Sequence, residues 1–308
     1  MNTRMDWVAD IGIYAIPAFL LLIAIEFVGY YRERKEAKEP TRQRVGVNAR
    51  DVVANLTTYG IGTFAAPLAK FIELPILATA ASLTPLALSA SDWWVWVLTL
   101  LLADFGYYFE HRMSHRIRLF WAGHSVHHSS QHFNLTTALR LPWLMPGQFL
   151  LALLYVPMAL VGVPLWMIFL SQSIVLLYQF PIHTERIDRL PRAVEYLFNT
   201  PSHHRVHHGA NNPYLDKNYA GILIIWDRMF GTYAEELEPV RYGLTKNINS
   251  HNPFVVNYHG FATMLRDVWL AKTWRGRLDY LRRPPGWSET PAATNSLDEA
   301  ATLVRTSV

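Results

Sequence analysis

Residues 11–30 read IGIYAIPAFLLLIAIEFVGY, a run in which nearly every side chain is apolar. About 20 such residues are what a helix needs to cross the hydrocarbon core of a bilayer. The run has neither the basic start nor the small-residue cleavage site of a signal peptide, so we expect it to be retained as a first membrane span. Of the 308 residues, 51% are hydrophobic and 17% are charged, which agrees with a membrane protein.

The segment that follows this run is basic. Residues 31–50 carry seven arginines and lysines against three glutamates. Short basic loops beside membrane spans stay in the cytoplasm, so we place this loop on the cytoplasmic side. The formal net charge of +4 does not indicate nucleic acid as a partner, because the basic residues concentrate beside apolar stretches.

Further apolar runs predict additional crossings. The run 52–88 is interrupted by prolines and is either one kinked span or a span followed by a re-entrant segment. A third span starts at the tryptophans of residues 93–96 and ends near Glu110. The tract 143–178 breaks at residues 161–164 and should form two helices joined by a tight turn. The predicted fold class is therefore all-α, an integral membrane bundle of about four to five spans.

The remainder of the chain is more polar. Residues 183–287 should form a histidine-rich helical cap in the cytosol, on the same face as the basic loop. Within it, residues 261–283 suit either an interfacial helix or a plain helix of the cap. The predicted organisation is an N-terminal helix with its basic loop at 1–50, a catalytic domain at 51–287 and a disordered tail at 288–308.

Histidine is the residue type that carries the chemistry. There are 13 histidines and no cysteines, which excludes disulfides, iron–sulfur clusters, thiolate-ligated haem and cysteine-based zinc ribbons. Most histidines recur at helical spacings of i, i+3 and i+4, which place imidazoles on one helix face, so each pair or triplet can aim its rings at a common point. The groups are His111 and His115; His124, His127 and His128; His183 alone; and His203, His204, His207 and His208.

This number of imidazoles exceeds the four ligands of one zinc ion, so two metal ions are implied. Imidazole suits iron, zinc, copper and nickel. His203 faces away from its neighbours if its segment is helical, and we expect it to support the site through hydrogen bonds. The remaining histidines, His132, His251 and His259, are expected at the surface or in supporting hydrogen bonds.

Carboxylates are expected beside the histidines, since a ligating imidazole usually donates its other N–H to an oxygen. Asp104 lies seven residues before His111 and on the same helical face. The alternative role of Asp104 is a structural hydrogen bond to another helix. For Glu110, Glu185 and Asp227 the alternative is local capping or pairing with arginine. The predicted carboxylates of the catalytic site are Asp104, Glu185 and Asp227, and Glu110 is a further candidate for the same supporting role.

Two other classes of function are compatible with clustered histidines. A membrane metal carrier or sensor would bind zinc reversibly, but its ligands belong near mid-membrane, whereas these clusters follow the ends of spans. A zinc hydrolase should show a helical H-E-x-x-H motif, which this sequence lacks. An oxygen-using metal site beside the membrane is the prediction that remains.

Five motifs follow one another along the chain: DFGYYFEHR at 104–112 with His115, WAGHSVHHSS at 121–130, NTPSHHRVHHG at 199–209, NYAG at 218–221 and WDRMFGTY at 226–233. These motifs, in this order, resemble the fatty acid hydroxylase and sterol desaturase superfamily of integral membrane di-iron oxygenases, over roughly residues 50–287. Within that superfamily, FNLTTALR at 133–140 and HTE at 183–185 look most like the alkylglycerol monooxygenase branch.

The resemblance implies two iron ions held by His111, His115, His124, His127, His128, His183, His204, His207 and His208. It implies that O2 and an external electron donor hydroxylate or desaturate a lipid, because no flavin, haem or nicotinamide motif is present. The branch implies an ether lipid and a reduced pterin, tetrahydrobiopterin; a sterol or fatty-acyl hydroxylase or desaturase is the alternative. Arg116 and Gln131-His132 stand where that branch has acidic residues. The implied location is the bacterial inner membrane or the endoplasmic reticulum, with the histidines facing the cytoplasm.

Overall fold

The computed structural model describes residues 11–36, 46–143 and 146–289. Within these ranges the chain is helical, and its only β contact is an isolated bridge between Gly209 and Tyr242. The all-α prediction is therefore confirmed for the described chain. The helices are α1 Ile11–Glu36, α2 Ala49–Ser82, α3 Trp93–Arg116, α4 Arg118–His128, α5 Val156–Leu160, α6 Leu165–Gln179, α7 Arg192–Leu197, α8 Pro201–His207, α9 Ile225–Met229, α10 Pro253–Leu270 and α11 Trp274–Arg282, with 3₁₀ helices at Leu135–Leu139, Pro146–Tyr155 and Phe180–Ile182.

Two stretches are long and apolar enough to cross a membrane, Tyr14–Glu33 in α1 and Leu165–Ile182 around α6. α2 adds a third if its two arms, Ala49–Ala65 and Lys70–Ser82, form one span bent by 50°. Length and composition thus give two to three spans in the described chain, fewer than the predicted four to five. The second half of α3 is rich in polar side chains, and residues 146–160 form a 3₁₀ helix and one short α-helix, which explains the difference.

An apolar core lies between α2, α3, α5 and α6. Its fully buried side chains include Leu77 of α2, Ala103 of α3, Ala159 of α5 and Met167 of α6. Removal of such side chains from water is the main term that stabilises helix packing. This core fixes the half of α3 that precedes His111.

The predicted turn at residues 161–164 is present between α5 and α6. Gly162 has φ +88°, and a Cβ atom there would lie 2.6 Å from the backbone carbon of Leu86. The carbonyl oxygen of Gly162 accepts a hydrogen bond of 2.8 Å from the amide of Leu88. Only glycine combines this backbone conformation with such a close approach.

α4, which carries three histidines, packs against α10 and α11. Gly260 makes this packing possible, because a Cβ atom there would lie 2.6 Å from the carbonyl oxygen of Ala122. The segment 261–283 is not one helix: it breaks after Leu270, and the Thr273 hydroxyl caps α11 by accepting a hydrogen bond of 2.9 Å from the Gly276 amide.

Parts of two predicted segments lie outside the described residues. They are residues 37–45 of the basic loop and residues 290–308 of the predicted disordered tail.

Candidate metal centre

The structure brings all nine predicted histidines together in two adjacent groups. Within each group, one ring nitrogen of every member lies within 4.8 Å of the others. We call them the five-histidine group and the four-histidine group. The five-histidine group contains His111, His115, His124, His128 and His207; the four-histidine group contains His127, His183, His204 and His208.

The three histidines of α4 and the three around α8 form two triplets, and each triplet divides between the two groups. This corrects the expectation that the rings of a triplet aim at one common point. In α4, His124 and His128 join the five-histidine group and His127 joins the other. Successive residues are rotated by about 100°, so residue i+4 lies about 40° to one side of residue i, whereas residue i+3 lies about 60° to its other side. The triplet around α8 divides in the same way, with His204 and His208 together and His207 apart. Both triplets therefore tie the two groups to each other.

Backbone carbonyl groups fix the orientation of the rings in the five-histidine group. The Nδ1 atom of His111 lies 2.8 Å from the carbonyl oxygen of Tyr219, and that of His207 lies 3.0 Å from that of Lys217. A carbonyl oxygen only accepts, so Nδ1 donates and Nε2 carries the lone pair.

The four-histidine group is oriented by the same kind of contact. His183 donates from Nδ1 to the carbonyl oxygen of Gln179 at 2.6 Å, and His127 donates to that of Arg140 at 3.3 Å. The expected acceptors were carboxylates. In the four rings with a bonded Nδ1, backbone oxygens take that role.

The donor set fits metal ions. Nε2 of His127 and Nε2 of His183 are 3.2 Å apart, although both rings have used their N–H on carbonyl oxygens. Two lone pairs at this distance repel each other unless a cation lies between them. Nε2 of His115 and Nε2 of His208 are buried and have no hydrogen-bond partner within the described ranges. Imidazole nitrogens of this kind suit iron.

Burial keeps these imidazoles neutral, as metal ligands must be. Desolvation lowers the pKa of His127 to about 4. Desolvation, followed by the neighbouring imidazoles, holds the pKa of His124, His128, His207 and His208 well below the ordinary value. Their lone pairs are therefore available at neutral pH.

Asp227 and Asp104 act on the site through a loop. Asp227 accepts hydrogen bonds of 2.8 Å from the amides of Tyr219 and Ala220. Asp104 accepts from the amide of Ile222 at 2.7 Å, from that of Leu223 at 3.0 Å and from the Trp226 indole at 2.8 Å. These carboxylates hold residues 217–223, whose carbonyl oxygens orient His207 and His111. Both act as positioning residues in this arrangement.

The other two predicted carboxylates bond elsewhere. Glu185 accepts from the backbone amide of Gly46 at 3.2 Å, and Glu110 accepts from the hydroxyl of Tyr155 at 2.5 Å. Glu185 thus joins the segment after His183 to the residues that precede α2. Glu110 faces the core side of α3.

Two buried arginines, for which the sequence motifs predict no role, support the site. Arg205 uses all five N–H groups, donating to Glu236 and to the carbonyl oxygens of Thr184, Ile187 and Asp188. Its position inside the motif HHRVHH could have indicated this role, because a guanidinium group between buried histidine ligands needs fixed hydrogen-bond acceptors.

Arg140 plays the matching role near α4. It donates to Asp51 at 3.2 Å, to Asn55 at 2.9 Å and to Ser129 at 2.8 Å, while its carbonyl oxygen faces His127. The N-terminal turn of α2 is thereby joined to the segment that follows the α4 histidines.

The remaining histidines lie outside both groups. His203 faces Glu195, with Nε2 and Oε2 3.1 Å apart, as its predicted orientation requires. His259 is 3.3 Å from the hydroxyl of Ser125, and His251 is exposed. Arg116 forms an ion pair of 2.8 Å with Asp216.

Known proteins are similar to this chain over the stretch that carries the two histidine groups. The sequence model of the family described as fatty acid hydroxylase matches residues 96–232. Alkylglycerol monooxygenases of Xenopus tropicalis and Homo sapiens are 46% and 45% identical over 194 and 195 residues, which cover 63% of this chain. The ornithine lipid hydroxylase OlsE of Rhizobium tropici is 26% identical over 226 residues, which cover 71% of this chain and 67% of that protein.

The chain spans 43% of the length of those two alkylglycerol monooxygenases. No solved structure matches it. The resemblance drawn from the histidine motifs is confirmed for the superfamily and the branch. The matched residues include every member of both histidine groups. Residues 96–232 are therefore similar to the fatty acid hydroxylase family over the part of the chain that holds both histidine groups.

Proposed function

We propose that this protein is a membrane di-iron oxygenase that hydroxylates a C–H bond of a lipid with O2 and an external reductant. The observation that carries the proposal is the pair of buried histidine groups, whose rings present lone pairs to common points. The family match and the relatives named for alkylglycerol and ornithine lipid support a lipid as the substrate.

Each histidine group would hold one iron ion. Bound iron would supply the activation of O2 and the removal of hydrogen from an unactivated C–H bond, which no side chain performs alone. In the overall reaction one oxygen atom enters the lipid and the other leaves as water. Two electrons and two protons from the external donor complete this balance.

The residues of the chain prepare the site for that chemistry. Carbonyl oxygens keep the rings in one tautomer, and Asp104 and Asp227 hold the loop that supplies two of those oxygens. Phe133 stacks on His183 with ring centroids 5.6 Å apart, and on Tyr242 at 4.9 Å. This aromatic layer covers the four-histidine group and keeps bulk water from it.

An ether lipid, with a reduced pterin as donor, is the leading substrate assignment. It rests on similarity to alkylglycerol monooxygenases at 45–46% identity. Arg116 stands where the alkylglycerol monooxygenase branch has an acidic residue. Its guanidinium group forms an ion pair with Asp216, so this basic residue has an acidic partner beside it. A sterol or fatty-acyl chain is the alternative.

We also propose an arrangement in the membrane. α1, α2 and α6, together with α3 and the 146–160 segment, form four to five crossings, and both histidine groups face the cytoplasm beside the basic loop. Residues 51–287 form the catalytic domain. We place the protein in the bacterial inner membrane or the endoplasmic reticulum. Reporter fusions after Arg50, His183 and Trp287 should all lie on the cytoplasmic side. An opposite signal at any of them contradicts this orientation.

Labelled O2 tests the function. Membranes that contain the full chain are supplied with ¹⁸O2 and with alkylglycerol, sterol and fatty-acyl substrates, with and without reduced pterin. Label in a product that requires pterin supports the ether-lipid assignment, and label without pterin supports a sterol or acyl substrate. Reversible zinc binding without any incorporation of label would overturn the proposal in favour of a metal carrier.

A further inference from the structure

A groove of about 530 Å³ lies between α10 and α11. This volume is within the range of sites that hold a small ligand. The side of α10 that packs against α4 carries Gly260 and the buried Met264, whereas Leu265 and Trp269 of the groove are exposed. The groove therefore opens away from the histidine helices. Four apolar residues and two arginines line it: Ala262, Leu265, Val268 and Trp269, with Arg266 and Arg277.

The apolar part of this groove continues a row of exposed side chains along α10. Phe254, Tyr258, Leu265 and Trp269 are all exposed, and they follow one another at intervals of four and seven residues. These intervals place them on one helix face, which we call the α10 stripe. An apolar face of this length is unfavourable in water, so the stripe requires an apolar partner.

The α10 stripe adjoins a candidate membrane span. The ring of Trp143 lies 5.2 Å from that of Phe254 and 5.8 Å from that of Tyr258, measured between centroids. Its indole N–H donates at 2.9 Å to the carbonyl oxygen of Thr58, in the first arm of α2. The stripe thus starts beside an apolar arm of α2, which places the lipids around such a span within its reach.

The charged part of the groove is basic. Arg266 donates to Asp267 at 3.1 Å, but that carboxylate also accepts from Arg118 and is thereby shared between two cations. Arg277 lies over the ring of Trp274 at 4.6 Å and forms no ion pair within the described ranges. The groove therefore keeps a net positive charge. Guanidinium groups suit phosphate oxygens, which they bind through two parallel hydrogen bonds.

We propose that this groove binds an anionic phospholipid of the bilayer. Arg266 and Arg277 hold its phosphate group, and Leu265 and Trp269 contact an acyl chain. None of the nine histidines lines the groove, so this lipid is a bound ligand separate from the substrate of the proposed function. Its role is to hold α10 and α11, and with them α4, against the membrane surface.

Lipid binding to the full chain in detergent tests this site without turnover. The ligands are radiolabelled phosphatidylglycerol, phosphatidylcholine with the same acyl chains, and glycerol phosphate as an anion without chains. The wild type should bind phosphatidylglycerol about tenfold more tightly than phosphatidylcholine, because the choline group cancels the attraction of the arginines. Glycerol phosphate should not displace the bound lipid. Equal affinity for the two lipids, or displacement by glycerol phosphate, overturns the proposal.

Matched double variants locate the effect. Arg266→Gln with Arg277→Gln should reduce the preference for phosphatidylglycerol to near unity. Arg275→Gln with Arg282→Gln removes the same charge from exposed arginines outside the groove and should retain the preference. An equal loss in both double variants, or a full preference in the groove variant, overturns the assignment.

Two features keep this test independent of other outcomes. The comparison of the two lipids on the wild type does not depend on how the variants fold. Binding is measured without oxygenation, so His127→Ala should keep the full preference for phosphatidylglycerol. Failure of the proposed oxygenase activity therefore leaves the lipid site standing, and loss of the lipid preference leaves the histidine groups unaffected.

Discussion

Nε of Arg205 lies 3.0 Å from Oε1 of Glu236, and Nη2 lies 2.8 Å from Oε2, in a pair that is buried on both sides. The other donors of Arg205 reach the carbonyl oxygens of Thr184, Ile187 and Asp188. One guanidinium thus joins α8, which carries His204, to the segment that begins at His183. Half of the four-histidine group depends on this junction.

Arg205→Lys should destabilise the chain strongly, although it conserves the charge. A lysine cannot pair with Glu236 through two parallel bonds and leaves buried carbonyl oxygens without donors, a loss of about 3 kcal/mol. Thermal unfolding in detergent and the iron content measure the effect. Arg275→Lys, at an exposed arginine, is the control and should resemble the wild type. An unchanged midpoint for Arg205→Lys would show that the junction is not stabilising.

Asp227→Asn should weaken metal binding in the five-histidine group and spare the other group. The amide side chain cannot accept from both backbone amides of Tyr219 and Ala220, so the carbonyl oxygen that orients His111 shifts. Loss of such supporting contacts lowers metal affinity by about 10- to 100-fold. Iron retained against a chelator should fall towards one ion per chain, while Asp92→Asn, at the opposite end of α3, retains both. Equal loss from both groups contradicts the loop's selective role.

Helical spacing is a local property, so the sequence alone could select the nine histidines that the structure brings into two groups. Division of the triplets depends on which neighbour packs against each side of α4 and α8, so local spacing did not reveal it. The need of Asp104 for a partner was predictable from its charge, yet the partner lies in a loop more than 100 residues away. By length and composition the described helices give two to three candidate spans, because hydropathy does not report that residues 146–155 adopt a 3₁₀ helix.

The metal-free chain should lose stability in mild acid. Burial lowers the pKa of His127 from 6.5 to about 4 in the folded chain, so between these values the unfolded chain binds protons that the folded chain does not. The unfolding midpoint of chelator-treated protein should be constant above about pH 6.5 and should fall as the pH drops towards 4. Iron-loaded protein should resist this change, because protons must displace the metal. A midpoint that is the same at pH 7 and pH 5 is the contrary result.

The junction of α10 and α11 should lie at the membrane surface. Trp269 and Trp274 are 82% and 79% exposed, and Lys272 and Arg275 lie beside them, as in interfacial helices. Because the chain has no cysteine, Leu270→Cys accepts a single spin label.

In lipid nanodiscs this label should be more accessible to O2 than to a water-soluble nickel reagent. Leu237→Cys, also exposed but flanked by Glu236 and Glu238, should show the opposite preference. If both labels favour the nickel reagent, the junction belongs to the aqueous cap.

The metal content of the full chain, purified from iron-replete cells, shows whether the two histidine groups hold iron. Two histidine groups built from neutral, oriented imidazoles should hold two iron ions per chain. His207→Ala and His127→Ala each remove a ligand from one group and should lower the iron content and abolish turnover, while His251→Ala keeps both ions. A wild-type chain that contains zinc, a single metal ion or none would contradict a di-iron site.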